Sequence, residues 1–484
     1  MNPLPSVVES VAQARTAQAS WRQTPVRERL QIVRRVRRRL AESCEDFALA
    51  ASSPAHPQAE VLVSEILPLL EACKFLERSA GAILAVKRLS GRGLPWWLWG
   101  VSSEIHREPF GVVGVISPSN YPLFLAGVQI LQALVAGNAV VWKPAAGCAK
   151  TSAKFVELLL SVNLPSGLVR LLPDTIEAGI ALTQTAIDKL LFTGGFDNGV
   201  HVLKNLAENA VPAVAELSGA DPVFVCADAD LTIVAKALQF GSMLNQGRTC
   251  MAPRKVFALR GLIAEVEAAI KSRFALVSLG AAVAVGTPKI ESLIALINDA
   301  LRRGARLIHG EVHPSGIRFP CVIADVASDM EIVRADLFFP VLLLLPVESE
   351  EEALQAAANS GYALAASVFS KDLREASRLC RKINAGLVSV NDLIVPSADP
   401  RIAFGGSGKS GYGVTRGGEG LLALTRGKVI QVRKRGSLQH LESNPIDPML
   451  AGALIRVMHA GGLRRKWSAF LALCQKSWRR SSTG

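Results

Sequence analysis

Phe110-Gly111-Val112-Val113-Gly114-Val115-Ile116 is a short run with no polar side chain, and its reading decides the fold. So brief a stretch, rich in β-branched residues, reads as a strand. Ala139 to Trp142, Leu168 to Leu172 and Lys189 to Phe192 read the same way, each separated from the last by enough chain for a helix. Alternation of this kind predicts an α/β architecture, an open and largely parallel sheet with helices on both faces. Ligands of such sheets collect at the carboxyl ends of the strands. Lys143-Pro144 and Gly194 to Gly199 fall at such ends.

On either side of this region the pattern differs. Residues 1 to 80 read as helical, with apolar positions at helical spacing in Arg27 to Leu40 and Ala59 to Leu76. The run Arg34-Arg35-Val36-Arg37-Arg38-Arg39 reads as a solvated helix face. A second α/β unit is expected from about Ala220 to Pro400. It includes a helix at Glu291 to Arg303, a strand at Leu387 to Asn391 and a buried strand between Pro340 and Pro346. The stretch Gly405 to Gly420 is glycine-rich.

A chain of 484 residues, 50% hydrophobic and 20% charged, fits a packed protein of two or three domains. Its eight cysteines are scattered without a C-x-x-C pair, which argues against a disulfide framework or a zinc site and leaves room for a free thiol. His309 and His313 are spaced i, i+4, but Gly310 between them makes a helix doubtful, and no metal is assigned. Residues 1–20 lack a basic stretch followed by an apolar one, so no secretory signal is expected. No apolar run reaches the roughly 18–20 residues of a spanning helix, which points to a soluble, cytoplasmic or membrane-peripheral protein.

The chemistry gathers around Cys250, which closes Asn245-Gln246-Gly247-Arg248-Thr249-Cys250 and follows Glu216 by 34 positions. A thiolate can add to an aldehyde carbonyl, and the tetrahedral adduct releases hydride more readily than the aldehyde does. A thioester remains, and a carboxylate such as Glu216 can activate the water that hydrolyses it. The adduct's oxyanion needs donors, which the Asn120 amide and the Cys250 main-chain N–H can supply.

Read in order, Pro118-Ser119-Asn120-Tyr121-Pro122-Leu123, Phe192 to Gly199, Glu216-Leu217-Ser218-Gly219, the Cys250 segment, Asp336-Leu337-Phe338-Phe339-Pro340 and Phe404-Gly405-Gly406 resemble the NAD(P)-dependent aldehyde dehydrogenase superfamily. The resemblance covers about residues 10 to 430 and looks most like the class 3 branch, which acts on fatty or aromatic aldehydes. It implies Asn120, Glu216 and Cys250 as the catalytic residues. It also implies a Rossmann-like cofactor domain (residues 1–217 and about 401–424), a catalytic domain (218–400) and an oligomerisation strand (425–432) that pairs with the region before Phe110. NAD or NADP is the implied cofactor, and a homodimer or homotetramer the implied assembly. Lys143 resembles the lysine that binds the adenosine ribose. Gly194, Gly195 and Gly199 match the loop near the pyrophosphate, and Leu217, Asp336 and Phe338 complete the implied cofactor contacts.

Several positions depart from the family pattern. Ser119 replaces a tryptophan, Gly195 a serine, Ser218 a glycine, and Asp336 a glutamate one methylene longer. Arg248 replaces a glutamine, and its cation either favours the Cys250 thiolate, attracts a substrate carrying a carboxylate, or turns away into a local ion pair. Ala146 replaces a glutamate that would repel a 2′-phosphate, so use of both cofactors is expected.

From residue 433 onward ten Lys/Arg face two acids, a large share of the net charge of +13. This basic tail, 433–484, carries Leu463, Trp467, Phe470 and Leu471 among its cations. It reads either as a segment lying on an anionic membrane surface or as a solubilising, partner-packing tail. No nucleic-acid reader motif accompanies the charge. Trp96-Trp97-Leu98-Trp99, Tyr121 and Phe124 either suggest apolar surroundings for the substrate, favouring fatty or aromatic aldehydes, or simply fill core or a subunit contact. Two other readings are a CoA-acylating or acyl-reducing relative, against which Glu216 speaks, and a non-catalytic membrane-associated scaffold, against which the three reacting groups speak.

Overall fold

The computed structural model describes residues 6–435 and 448–481. Residues 1–5, at the start of the stretch read for a signal, and tail positions 436–447 and 482–484 lie outside the described residues.

Five parallel strands and one antiparallel edge strand form the first sheet. In chain order the parallel strands are Val112–Ile116, Ala139–Lys143, Val169–Leu171, Lys189–Thr193 and Ala213–Glu216. Numbering them one to five, their spatial order is 3-2-1-4-5, the order of a dinucleotide-binding sheet. Gly411–Tyr412 adds the antiparallel edge beside Ala213–Glu216. The four strands foreseen from apolar runs all form, with ends shifted by one or two residues.

Strand order reverses between Val112–Ile116 and Lys189–Thr193, whose carboxyl ends run into Ser117–Asn120 and Gly194-Gly195. Such a reversal opens a crevice at the sheet's edge. The helix Phe124–Ala136 leaves this crevice and is buried along its whole length, as its nearly all-apolar sequence requires.

The second sheet has eight strands. Val341–Val347, Pro253–Leu259, Asp221–Val225, Ala365–Phe369 and Leu387–Val390 form its parallel core. Arg306–His313 and Gly316–Ala324 add an antiparallel pair. His309 and His313 therefore lie on a strand, and among the described residues no cluster of three or more His, Cys, Asp or Glu could hold a metal. The expected helix near residues 291–303 runs Pro288–Arg302, started by the Thr287 hydroxyl as N-cap.

Four residues, Leu217 to Ala220, separate the last parallel strand of the first sheet from Asp221–Val225 of the second. This short bridge sets the carboxyl end of one sheet close to the residues that precede Pro253–Leu259 in the other.

Both sheets belong to one compact unit, Met1–Lys87 with Ile105–Val429. The smaller unit comprises Arg88–Glu104 and Ile430–Gly484. A three-stranded sheet orders Lys87–Arg88, Val101–Pro109 and Thr425–Arg433, so the two segments foreseen as pairing strands are neighbours within this chain. Trp97 and Trp99 lie in the smaller unit and are exposed, at 52% and 66%. Two helices, Pro448–His459 and Leu463–Ser481, follow in the tail. No described helix is long and apolar enough to cross a membrane.

Candidate active site

Glu216 is the last residue of its strand, and its main chain is held on both sides. The Gly194 N–H donates to the Glu216 carbonyl at 3.1 Å, and Gly411 of the edge strand lies opposite. The buried carboxylate accepts from the Thr415 hydroxyl on one oxygen and from the Thr193 hydroxyl at 3.4 Å on the other. Gln129 Nε2 donates to Thr193 Oγ1 at 3.1 Å, so the threonine proton is directed at Glu216. Burial raises the Glu216 carboxyl above its ordinary value, while Arg416 and the two hydroxyls pull it back. Donated hydrogen bonds favour the ionised form, and an ionised carboxylate is what a base must be.

Cys250 sits between the turn Leu244–Gly247 and the strand Pro253–Leu259. Asn245 and Gln246 in that turn have φ of 48° and 52°, a left-handed conformation that costs a non-glycine residue energy and needs support from its surroundings. Gly247 follows with φ +70°, and a Cβ there would lie 2.4 Å from the Pro340 nitrogen, so glycine is required. Buried Arg254 fixes the turn from behind, donating to the carbonyls of Gly247 and Phe339.

Met251, Leu364, Ala365 and Phe404 form an apolar cluster against which Cys250 packs. Burial pushes the thiol up to about 12, with Asp221 and Glu216 adding to the rise and Arg416 opposing it. The resting group is therefore a thiol that must lose its proton to a neighbour in order to react.

Asn120 comes to the same place from the other sheet. Its Nδ2 donates to the Arg248 carbonyl at 2.9 Å, its own carbonyl accepts from Asn245 Nδ2 at 2.6 Å, and Tyr121 Oη meets Thr249 Oγ1 at 2.5 Å. Loop 117–123 and the Cys250 loop are thus stitched together by three bonds. The structure brings Asn120 to the loop that carries Cys250, and sets Glu216 and Cys250 close enough for their charges to interact.

Four of the expected cofactor positions, Gly194, Gly199, Leu217 and Asp336, lie around Glu216 to Ser218. Gly194 binds the Glu216 carbonyl, Leu217 covers Gly199, and the Ser218 hydroxyl donates to the Asp336 carboxylate. Gly195 is the N-cap of helix Phe196–Glu208, offers no side chain to cap it, and faces open space. That exposed helix start, beside the crevice at the strand reversal, fits an anionic pyrophosphate. Lys143 lies on the neighbouring strand end with Asp174 and Glu177 close by, and burial lowers its ammonium below the ordinary value. Phe338 is half-buried two residues beyond Asp336.

Among the readings of Arg248, its contacts fit the one in which it turns away from Cys250. Its guanidinium donates to the Asn245 carbonyl and side chain, and its charge reaches Glu60 and His56. The cation that acts on the Cys250 thiol is Arg416. Arg416 is buried, with its guanidinium 4.0 Å from the centre of the Phe404 ring and 5.3 Å from that of Phe124; it donates to the Ser397 carbonyl at 3.1 Å, while its Nε has no partner. Sequence reasoning singled out none of Arg416, Thr415, Thr193 and Gln129; the glycine-rich stretch 405–420 holds Thr415 and Arg416, and the segment Phe192 to Gly199 holds Thr193.

A narrow crevice lies beside this cation, lined by Phe75, Leu76, Phe124, Val128, Gln132 and Arg416 among others.

The sequence matches the model of the Aldehyde dehydrogenase family over residues 5–430. It is 30% identical over 426 residues to the 4,4'-diapolycopene aldehyde oxidase of Methylomonas sp, covering 86% of this chain and 79% of that protein. The fold is similar to that of a Mycobacterium tuberculosis aldehyde dehydrogenase complexed with NAD+, with TM-score 0.80 and 28% identity over 90% and 92% of the two chains. It is equally similar to the NADP-dependent glyceraldehyde-3-phosphate dehydrogenase of Bacillus halodurans complexed with NADP, with TM-score 0.80 and 29% identity over 88% and 91%.

Proposed function

The chain belongs to the aldehyde dehydrogenase family and is an NAD(P)-dependent oxidoreductase, and from that premise we propose that it converts an apolar aldehyde to the carboxylic acid through Cys250. The observation that supports this most is the placing of a buried, hydroxyl-tethered carboxylate within electrostatic reach of a thiol in an apolar cluster.

The Cys250 sulfur adds to the carbonyl carbon as its proton passes to Glu216. The Asn120 amide and the Cys250 main-chain N–H hold the resulting oxyanion. The bound nicotinamide nucleotide supplies the acceptor for the hydride. Glu216 passes the thiol's proton to solvent and, ionised again, takes one from water as the water attacks the thioester; this proton goes to the departing sulfur, releasing the acid and the thiol. The hydroxyls of Thr193 and Thr415 donate to Glu216 and promote its return to the ionised form, ready to activate water, which favours water over CoA as the acyl acceptor.

Lys143, Gly194, Gly195, Gly199, Leu217, Asp336 and Phe338 would hold the nucleotide, with the helix start at Gly195 facing its pyrophosphate. Exposed Ala146 presents no carboxylate to a 2′-phosphate, which supports use of both NAD and NADP. Tyr121, Phe124 and the cluster around Met251 and Phe404 support a fatty or aromatic substrate. The same reading includes a homo-oligomer and a peripheral membrane contact through the basic tail.

The test is absorbance at 340 nm with NAD or NADP and aldehydes of increasing chain length, without CoA, beside Cys250→Ala. Reduction that requires Cys250 and yields free acid is expected, with efficiency rising with chain length. Reduction only after CoA is added would overturn the hydrolytic reading.

A further inference from the structure

A single helical segment carries two acids that reach the two loops of the site. Helix Gln58–Val61 passes through one π turn, Leu62–Ile66, into helix Leu67–Ile83. Glu60 Oε1 accepts the Asn245 N–H at 2.6 Å, from the loop that ends in Cys250. Glu65 Oε2 accepts the N–H groups of Leu123 and Phe124, at 2.7 and 3.1 Å.

Those two N–H groups open the helix Phe124–Ala136, which no side chain of its own caps. The first N–H groups of a helix have no partner within it and favour a negative or polar group. A short polar residue at the N-cap is the usual provider. Here the provider is a carboxyl from a different helix, fully buried, with its second oxygen unpartnered. Burying such a group is unfavourable, and capping alone does not require it. What it adds is a fixed link between helix Leu67–Ile83 and the chain three to four residues beyond Asn120.

The π turn contributes to the aim of Glu65. Its i→i+5 bond, Leu67 N–H to the Leu62 carbonyl, accommodates an extra residue in the turn. Glu60 and Glu65 then face one buried imidazole, Glu60 Oε1 3.7 Å from His56 Nε2 and Glu65 Oε1 3.7 Å from His56 Nδ1. His56 also stands edge-on to the Tyr121 ring, 5.6 Å between centres. The two grips meet where Asn245 donates to the Asn120 carbonyl.

We propose that Glu65 is a positioning residue for Asn120: it anchors the start of helix Phe124–Ala136 so that the Asn120 amide meets the oxyanion, while Glu60 anchors the Cys250 loop against it. This rests on the role given to Asn120 under the proposed function.

The test measures aldehyde oxidation and, without nucleotide, p-nitrophenyl acetate hydrolysis, which acylates the same thiol beside the same donors. Asn120→Ala is expected to slow both about 100-fold. Glu65→Ala is expected to lower kcat at least about tenfold with KM within about threefold, and to add nothing when combined with Asn120→Ala. Glu65→Gln restores the rate to within about threefold, because its amide oxygen can accept both N–H groups; Glu65→Asp, one methylene short, does not.

A Glu65→Ala loss that multiplies fully with that of Asn120→Ala would overturn the proposal. So would a normal kcat in Glu65→Ala, or a Glu65→Gln enzyme with wild-type melting that is as slow as Glu65→Asp. If Glu65→Ala does not fold, the Gln and Asp variants carry the comparison. Full activity in Asn120→Ala would overturn the reading of Asn120 itself, and this one with it.

Discussion

The Ser218 hydroxyl donates a hydrogen bond to the Asp336 carboxylate, joining positions 118 residues apart. Both positions depart from the family pattern, and the departures meet each other. A serine where glycine is usual reaches toward an acid that is one methylene shorter than usual.

If Ser218 steadies Asp336 for a nucleotide contact, removing the hydroxyl frees the acid. Ser218→Ala is expected to raise KM for NAD or NADP about fivefold, the worth of roughly 1 kcal/mol of hydrogen bonding, with little change in kcat. Asp336→Asn combined with it should add little. Initial-rate kinetics at saturating aldehyde check this, and an unchanged nucleotide KM would show that Asp336 needs no such support.

Thr415 and Thr193 both donate to Glu216, and such donors lower a carboxyl pKa. Thr415→Val should therefore raise the Glu216 pKa further. Since the base must be ionised, activity disappears as pH falls through that value, and the acid limb of kcat/KM moves to higher pH. The expected loss is roughly tenfold at pH 6 with little change at pH 9. A uniform loss across the pH range would instead point to misplaced geometry.

Arg416 and Arg248 make opposite predictions for the thiol. Arg416→Met removes the cation that opposes the rise of the Cys250 pKa, so iodoacetamide alkylation at pH 8 should slow several-fold. Arg248→Gln should leave it unchanged, because that guanidinium is engaged with Asn245. Slower alkylation in Arg248→Gln would restore the role that the sequence suggested for it.

The tail prediction concerns helix Leu463–Ser481. Leu463, Trp467, Phe470 and Leu471 recur at helical spacing and are exposed at 87, 62, 45 and 46%. No acid follows Asp447 in the sequence. Apolar side chains within a basic helix favour an anionic lipid surface. The full chain should float with phosphatidylglycerol vesicles and not with phosphatidylcholine ones, and lose binding in Trp467→Ser/Phe470→Ser and at 0.5 M salt, an ionic strength at which Coulomb attraction is largely screened. Failure to bind anionic vesicles would leave aldehyde oxidation untouched and remove the membrane contact.

What was legible in the sequence was local. Val112–Ile116 and Ala139–Lys143 announced themselves because a buried parallel strand must be apolar nearly throughout. Asn120, Glu216 and Cys250 were legible because they stand in recognisable segments in a fixed order. The partners that tune them were not. Thr415 lies 199 residues from Glu216 and Glu65 lies 58 from Leu123, and at such separations the sequence does not say which residues will meet. Trp97 and Trp99 admit more than one reading for a related reason: composition alone does not say which face of a segment is covered, or by what.

The edge strand Gly411–Tyr412 and the Thr415 tether also bear on how the protein is made. At about 5–20 residues per second, ribosomes extend the chain from Glu216 to Thr415 in roughly 10–40 s. Throughout that interval the nascent first sheet holds an open edge and an acid without its tether, so a chain released before residue 411 lacks both. The tether of Glu216 is completed by nearly the last part of the main body to emerge. Premature termination would therefore leave a sticky strand instead of a partly active enzyme, a hazard that chaperones must cover for the length of that delay.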